Sequence, residues 1–137
     1  MLSRRFFAGC ALCAIGGLAA TAAEAQTTPP AATAGVKRTI LKQTDGPVPG
    51  YVTVTAEAEI DAGATVARHT HPGIESGYLV EGGGELSVDG QPPLMLKPGD
   101  GFQNPAGVPH GLKNGPKTSK LAITYIVEKG KPLATPA

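Results

Sequence analysis

The sequence predicts an all-β fold, a sandwich or small barrel built from short strands. Three observations predict it. From Tyr51 to Ile60, apolar and polar residues alternate with a period of two, which is typical of a strand with one face in a core and one in water. Turn signals rich in Gly, Pro, Asp and Asn separate further runs of strand length. Beyond the N-terminal segment, no window of helical length shows apolar residues spaced three and four apart.

Seven further runs of strand length follow the first, at residues 65–71, 77–80, 85–88, 94–96, 101–103, 110–113 and 121–128. Among their separators, Asp89-Gly90 is the clearest hairpin signal, because this pair suits a tight turn that needs positive φ. The last run has apolar residues on both faces. We therefore expect it to lie between two layers or in a dimer contact.

The first 25 residues are predicted to be a cleavable signal peptide. Arg4-Arg5 precedes an apolar run at 8–20, and a small-x-small cleavage site follows at 23–25. The arginine pair resembles a twin-arginine signal, which serves the export of folded proteins, and an ordinary Sec signal is the alternative. Either route predicts a bacterial periplasmic protein with no stable membrane anchor after cleavage.

The rest of the chain is predicted to form one domain with two short extensions. Residues 26–36 are rich in Thr, Pro and Ala without apolar periodicity, and they read as a flexible linker or arm. Residues 37–130 would form the β-barrel, and residues 131–137 a C-terminal tail. This length supports a single domain with a modest core.

Composition excludes several classes of protein. Both cysteines, Cys10 and Cys13, lie in the signal segment, so the mature chain can form neither a disulfide nor a thiolate metal site. The formal net charge of +1 falls to zero once Arg4, Arg5 and Glu24 are removed. A neutral chain with no basic run and no Trp argues against nucleic acid or an anionic membrane surface as partner, and the partner we expect, from the metal site described below, is a small molecule.

All three histidines of the chain fall in two clusters, which together with one glutamate can collect a metal ion. His69 and His71 are two apart, so in a strand they project from one face, with Cα atoms about 7 Å apart. Pro72-Gly73 would then turn the chain so that Glu75 approaches the same centre. A rigid turn at residues 105–109 feeds His110 onto another strand, and barrel interiors allow separate strands to point at one spot.

This donor set suits one divalent metal ion. Three imidazole nitrogens and a carboxylate oxygen fit Mn, Fe, Ni, Zn or Cu, and an octahedral ion would keep two positions for water or substrate. If the protein folds before export, Mn or Fe is favoured, because zinc and copper are scarce in the cytosol. The alternative is that the histidines are unrelated surface or interior residues and that Glu75 is a solvated turn acid.

The two clusters resemble the paired signature motifs of the cupin superfamily at every fixed position. The matching positions of the first motif are Gly63, His69, His71, Glu75 and Gly82, and those of the second are Gly99, Pro105, Gly107, His110 and Asn114. The resemblance implies a small single-domain cupin, a β-barrel of jelly-roll type. It also implies that His69, His71, Glu75 and His110 are the metal ligands and that the protein forms a homodimer.

Two functions remain open from the sequence. An ion with exchangeable positions would support a metalloenzyme that acts on a small molecule, of the dioxygenase, isomerase or decarboxylase kind seen among cupins. The alternative is a binding module, in which the metal captures a small ligand without turnover or stabilises the barrel. A second titratable side chain committed to the pocket would favour catalysis, and the sequence identifies no catalytic residue.

Other polar residues have weaker claims to a site. Arg68 and Gln103 flank the predicted ligands and could bind an acidic substrate, but strand alternation points Arg68 away from the face that His69 occupies. Tyr51, Tyr78 and Tyr125 are candidate hydrogen-bond donors in the pocket, with plain packing as the default.

Overall fold

The computed structural model of the protein describes residues 33–137. The predicted signal peptide and most of the predicted linker lie outside these residues. Ten strands make up the described part: β1 (Val36–Asp45), β2 (Tyr51–Ile60), β3 (Thr65–Thr70), β4 (Gly73–Glu81), β5 (Gly84–Val88), β6 (Leu94–Leu96), β7 (Gly101–Asn104), β8 (His110–Asn114), β9 (Ser119–Glu128) and β10 (Thr135–Pro136). No helix occurs within residues 33–137, and none of sufficient length and hydrophobicity to cross a bilayer is therefore found there.

The strands form two five-stranded sheets in which every pairing is antiparallel. The first sheet has the order β1-β2-β9-β4-β7, and the second has the order β10-β3-β8-β5-β6. Apart from the pairs β1–β2 and β5–β6, strands that follow one another along the chain lie in different sheets, so the chain crosses repeatedly between the layers. This is the double-sheet arrangement of a jelly roll, and the predicted all-β fold is confirmed.

Alternating residues of the long strands fill the core between the sheets. In β2 and β9 one face is almost fully buried, as the period-two pattern predicts. The largest fully buried aliphatic side chains are Val52, Val54, Ile60, Leu79, Leu96 and Val127. Each stabilises the barrel by about 1.5–3 kcal/mol relative to an exposed position, so aliphatic burial carries most of the stability. The second face of β9 is half-buried, which fits its place in the middle of a sheet.

Sequence analysis did not predict two of the strands, β1 and β10. Strand β1 is an edge strand, and eight of its ten residues are exposed, with a register shift between Ile40 and Lys42, so it lacks a clean alternation. Strand β10 has only two residues, one of them a proline. It pairs with β3 within the segment predicted as a tail, opposite Thr70 and His69.

Strand β4 begins earlier than predicted. The chain bends at Pro72, as the sequence indicates, but Gly73 already pairs with Val127 in β9. A Cβ atom on Gly73 would overlap the carbonyl oxygen of Ile126, so only glycine allows this close approach. Because β4 starts here, Glu75 lies on a regular strand rather than on a turn.

A buried hydrogen-bond network, here called the Asn114 network, ties β8 and β9 to neighbouring turns. The Asn114 amide nitrogen donates to three main-chain carbonyl oxygens, those of Ile60 (2.9 Å), Asp61 (2.8 Å) and Lys117 (3.0 Å). Its Oδ1 accepts a hydrogen bond from the Ser119 hydroxyl at 2.6 Å, and that hydroxyl accepts one from the Gly83 amide at 3.0 Å. Both side chains are buried, and both find partners for their polar atoms.

Candidate metal centre

The three histidines approach one another from the second sheet. His69 on β3 and His110 on β8 are paired in register, so their side chains leave the sheet on the same face. His71 follows β3 directly, before the bend at Pro72. His71 and His110 are each 2% exposed, whereas His69 is half-buried. The spacing of two residues therefore brings His69 and His71 together as predicted.

Glu75 reaches the same region from the opposite sheet. On β4 it is paired with Asn104 of β7 on one side and with Tyr125 of β9 on the other, so the three side chains lie in a row on the inner face. The Asn104 amide nitrogen donates to Glu75 Oε2 at 2.6 Å. Glu75 and Asn104 are 5% and 1% exposed, so this carboxylate is oriented inside the barrel.

Main-chain carbonyls fix the orientation of all three imidazole rings. Each Nδ1 lies within hydrogen-bond distance of a carbonyl oxygen: His69 with Ala67 (2.8 Å), His71 with Leu133 (2.5 Å) and His110 with Val108 (2.9 Å). A carbonyl only accepts, so Nδ1 carries a proton in each ring and Nε2 is the nitrogen left to face the cluster. The partner of His71 comes from the C-terminal segment, which thus contributes to the site.

The remaining acceptor atoms face one another at short distances. Nε2 of His69 lies 3.2 Å from Nε2 of His71. Oε2 of Glu75 lies 3.5 Å from Nε2 of His71 and 3.1 Å from Nε2 of His110. The three imidazoles each offer one ligand atom within 4.8 Å of the others. Lone pairs that converge in a buried space repel one another unless a cation lies among them, so the donor set fits a metal ion.

The electrostatics of the cluster favour a neutral His69 and an ionised Glu75. Burial, helped by the neighbouring imidazoles and opposed by the Ala67 carbonyl and Glu75, lowers the pKa of His69 to about 4. Burial raises the pKa of Glu75, but hydrogen bonds and positive charge from His110 and His71, which in the absence of a metal take the place of a cation beside the carboxylate, outweigh burial and hold it well below the ordinary value. A neutral imidazole and a carboxylate are the forms that bind a metal.

Tyr125 belongs to this site, although the sequence favoured plain packing for it. It is fully buried, and its ring centroid lies 4.8 Å from that of His71. Burial, followed by the charge of Glu75, raises the pKa of the Tyr125 hydroxyl well above its ordinary value, so the group stays protonated at neutral pH. The alternation of β9 placed Tyr125 on the inner face, but nothing in the sequence aligned it with Glu75.

Arg38 is a second residue that the sequence gave no reason to choose. It lies on β1 opposite Ala58, whose side chain is in the core, and Arg38 therefore faces inward as well. Its guanidinium carbon lies 5.7 Å from the centroid of the Tyr125 ring, which is within the range of a cation–π contact. Sequence analysis did not identify β1 as a strand, so it gave no register for Arg38.

A cavity connects these groups. It contains about 420 Å³ of space not filled by protein atoms, part of it open to solvent. Arg38, His69, Glu75, Asn104 and His110 line it on the polar side. Its apolar lining includes Ile60, Leu86, Phe102, Leu112, Leu121 and Ile123. A small organic molecule could therefore reach the histidines through a largely apolar space.

The other polar candidates from the sequence lie on the outside. Arg68 forms a bidentate salt bridge of 2.7 Å with Asp89, and both side chains are 49% exposed, so Arg68 points away from the cavity as the strand alternation predicts. Gln103 donates to the Ser76 hydroxyl at 3.2 Å in an exposed position. Tyr78 is 49% exposed and is no pocket residue.

A family model described as "Cupin domain" matches residues 56–130, which is more than half of the chain. The chain belongs to the cupin family. The match includes all three histidines and Glu75, together with every strand from the end of β2 to β9. The resemblance inferred from the two motifs is therefore confirmed. No curated protein sequence is similar enough to this cupin to count as a match.

Several solved structures are similar to this cupin. An RmlC-like cupin from Shewanella frigidimarina is 28% identical with a TM-score of 0.59, and the match covers 70% of this chain and 79% of that one. KdgF from Halomonas sp. is 26% identical with a TM-score of 0.55, covering 67% of this chain and 79% of that one. The DMSP lyase DddQ from Ruegeria pomeroyi is 24% identical with a TM-score of 0.54, covering 64% of this chain. This cupin spans only 40% of the length of that lyase, which supports the shared fold alone.

Proposed function

We propose that this cupin binds one divalent metal ion through His69, His71, His110 and Glu75 and uses it to act on a small organic molecule. The observation that carries the proposal is the convergence of the three imidazoles, each with its Nδ1 committed to a carbonyl, with Oε2 of Glu75 3.5 Å and 3.1 Å from Nε2 of His71 and His110. Such an arrangement is what a metal-binding cluster requires, because the outer hydrogen bonds fix both tautomer and ring orientation.

The residues around the cluster have separable roles. When bound, a divalent ion would supply Lewis acidity and exchangeable positions for a ligand. Asn104 holds the Glu75 carboxylate in place through its 2.6 Å hydrogen bond. Tyr125, protonated and buried beside His71, can donate a hydrogen bond to an oxygen of a bound molecule. The apolar lining excludes water, which strengthens these polar contacts.

Tyr125 favours an enzyme over a binding module. A second titratable group committed to the pocket is what catalysis needs and what the sequence did not identify. Its hydroxyl is buried and interacts with Glu75 and Arg38, so it links a proposed metal ligand to a cation that lines the cavity. The reaction classes that fit are those of a dioxygenase, an isomerase or a decarboxylase, because each uses a metal-bound oxygen-containing substrate.

Metal analysis combined with oxygen uptake tests the proposal. Purified protein should contain about one divalent ion per chain, since one cluster is present in the described residues. Oxygen consumption is then followed over a panel of phenolic and oxo-acid compounds, with product analysis for redox-neutral turnover. Stoichiometric metal without turnover would indicate a binding module, and protein that takes up no metal would overturn the proposal.

We also propose that the protein is exported to the periplasm with its metal already bound. The support is the twin-arginine-like start of the sequence, which is typical of proteins that fold before export. Protein recovered from the periplasm of the producing cell should then carry Mn or Fe. Stoichiometric zinc or copper in that sample would contradict loading in the cytosol.

A homodimer is proposed through the outer face of the first sheet. Ile74 and Tyr78 on β4 are 46% and 49% exposed, and their register partners on β9, Ile126 and Ala122, are half-buried on the same face. Neighbouring exposed apolar residues of this kind mark an interaction surface. Sedimentation at micromolar concentration should give twice the chain mass, and replacement of Tyr78 by Lys should give the monomer.

A further inference from the structure

Within residues 33–137, four buried side-chain polar atoms have no hydrogen-bond partner by geometry, and three of the four residues line the cavity, whereas the fourth, Tyr125, packs against His71 and pairs with Glu75 behind it. They are Nε of Arg38, Oδ1 of Asn104, Nε2 of His110 and the hydroxyl of Tyr125. Buried polar atoms without partners are rare in folded proteins, and a group of them at one place indicates a missing ligand. A metal ion accounts for Nε2 of His110, but it cannot account for Arg38, which is a donor and a cation.

Arg38 cannot relieve the burial of its Nε by itself. A guanidinium keeps its charge under all ordinary conditions, so Arg38 cannot lower the free-energy cost of its buried N–H group by losing a proton. The guanidinium contacts the ring and the hydroxyl of Tyr125, but these contacts leave Nε without a hydrogen-bond partner. Within residues 33–137, Arg38 forms no salt bridge with an acidic side chain. The protein therefore offers this cation no anionic partner of its own.

The charges around the cavity require an anion. Glu75 brings one negative charge and Arg38 one positive charge, and a divalent ion at the histidine cluster would leave two positive charges in excess. Two cations that share an apolar cavity repel one another strongly because the surroundings screen them poorly. An anionic group placed between them is attracted to both, and it would satisfy the Arg38 N–H donors at the same time.

We propose that Arg38 binds the carboxylate of a small organic monocarboxylate whose apolar body lies against the aliphatic lining of the cavity. The inference deepens the proposed function by naming the substrate class of the same site. A planar guanidinium matches a carboxylate with two parallel hydrogen bonds. The apolar side chains that line the cavity, Ile60, Leu86, Phe102, Leu112, Leu121 and Ile123, suit a hydrocarbon or aromatic body rather than a sugar. Arg38 is thus a specificity-determining residue.

Calorimetric titration with three probes, propionate, hexanoate and benzoate, tests this proposal on the metal-loaded protein. At least one of these acids should bind. Its neutral amide should bind at least about tenfold more weakly, because it cannot form the charge-assisted hydrogen bonds to Arg38. Arg38→Gln should weaken carboxylate binding about 10–100-fold, and Arg38→Lys less, since Lys keeps the charge without the fork. Arg68→Gln is the matched control and should bind like the original protein.

The same titration after removal of metal by a chelator separates the two proposals. Carboxylate binding that persists more weakly and still depends on Arg38 supports the inference whether or not the histidine cluster holds a metal. Binding that disappears with the metal and is unchanged in Arg38→Gln would show that the ion alone captures the anion, and would overturn the role of Arg38. No binding of any of the three acids, or equal binding of the amides, would overturn it as well. Circular dichroism checks the fold of each variant, and the affinity of Arg38→Lys decides the outcome if Arg38→Gln fails to fold.

Discussion

The Asn114 network and the histidine cluster are two buried polar groups of residues in one barrel, and they differ in how their hydrogen-bonding capacity is used. In the Asn114 network, the amide and hydroxyl of Asn114 and Ser119 all find partners at 2.6–3.0 Å. In the histidine cluster, Nε2 of His110 has none, and acceptors face acceptors. Both regions contain signature residues of the cupin family, so the motifs alone do not distinguish them.

This difference separates buried polar groups that stabilise the fold through hydrogen bonds within the protein from those whose hydrogen-bonding or ligand capacity is unused in the protein alone. A fully satisfied network replaces hydrogen bonds to water one for one and stabilises the structure it connects. A cluster with unpaired acceptors costs stability until a cation enters, and the binding free energy of that cation is then coupled to folding. The contrast predicts opposite effects of mutations in the two regions.

The largest effect is expected from His110→Ala. Loss of one of four ligands should weaken metal binding by more than about 100-fold, because even the outer partners of ligands contribute about 10–100-fold. The metal-free variant should still fold, losing about 1 kcal/mol with the hydrogen bond from Nδ1 to the Val108 carbonyl. Metal content by mass spectrometry and urea unfolding with a chelator measure the two quantities. Unchanged metal content would remove His110 from the ligand set.

The opposite pattern is expected from Asn114→Ala. This change leaves three carbonyl oxygens and the Ser119 hydroxyl without their partner, which should lower the free energy of unfolding by about 3 kcal/mol. The folded fraction should bind metal with the same stoichiometry, because Asn114 contacts none of the histidines. Urea unfolding and metal analysis of the same samples decide this, and a parallel loss of metal would mean that the two regions are coupled.

The sequence alone predicts most of the barrel and the approach of the three histidines to one another, for physical reasons. Strands β2 and β9 bury one face, so their period of two is visible, and β2 matches its predicted limits at both ends. The histidines were found because motif spacing reflects strand and turn geometry. Edge strand β1 is mostly exposed and carries a register shift, so its pattern is too weak to reveal it.

The residues missed at the site were missed because their roles depend on pairing between distant strands. Tyr125 meets Glu75 through the register of β9 with β4, and Arg38 faces inward through the register of β1 with β2. Leu133 contributes only its carbonyl oxygen, which carries no side-chain signal at all. Registers between distant strands cannot be deduced from one chain, so these three contributions appear only in three dimensions.

A smaller effect is expected from Asn104→Leu. The variant loses the hydrogen bond that orients Glu75 but keeps all four proposed ligands, so metal affinity should fall about 10–100-fold while binding remains measurable. Gln103→Leu is the matched control, because the neighbouring side chain is exposed and its hydrogen bond goes to Ser76. Competition titrations against a chelator measure the affinities, and equal values for both variants would mean that Asn104 does not position Glu75.

The smallest effect concerns the pH dependence of stability in the metal-free protein. The pKa of His69 is about 4 in the folded state and 6.5 in the absence of the surroundings. As the pH falls from about 6.5 to 4, the unfolded chain takes up a proton at this position that the folded protein does not, so the free energy of unfolding decreases. Glu75 affects stability at lower pH. Because its pKa is lower in the folded protein than its ordinary value of 4.5, its ionised form stabilises the fold above pH 4.5, and this stabilisation is lost as the pH falls below that value.

His69→Gln removes the first of these contributions and should flatten the stability curve between about pH 4 and 6.5, because glutamine does not titrate. Ser119→Ala, in the Asn114 network, should instead lower the whole curve by about 1 kcal/mol without changing its slope, since no charge is involved. Urea unfolding at a series of pH values with a chelator present measures both curves. If the two variants gave parallel curves, the pKa of His69 would not be depressed in the folded protein, and the pH dependence would have to come from other groups.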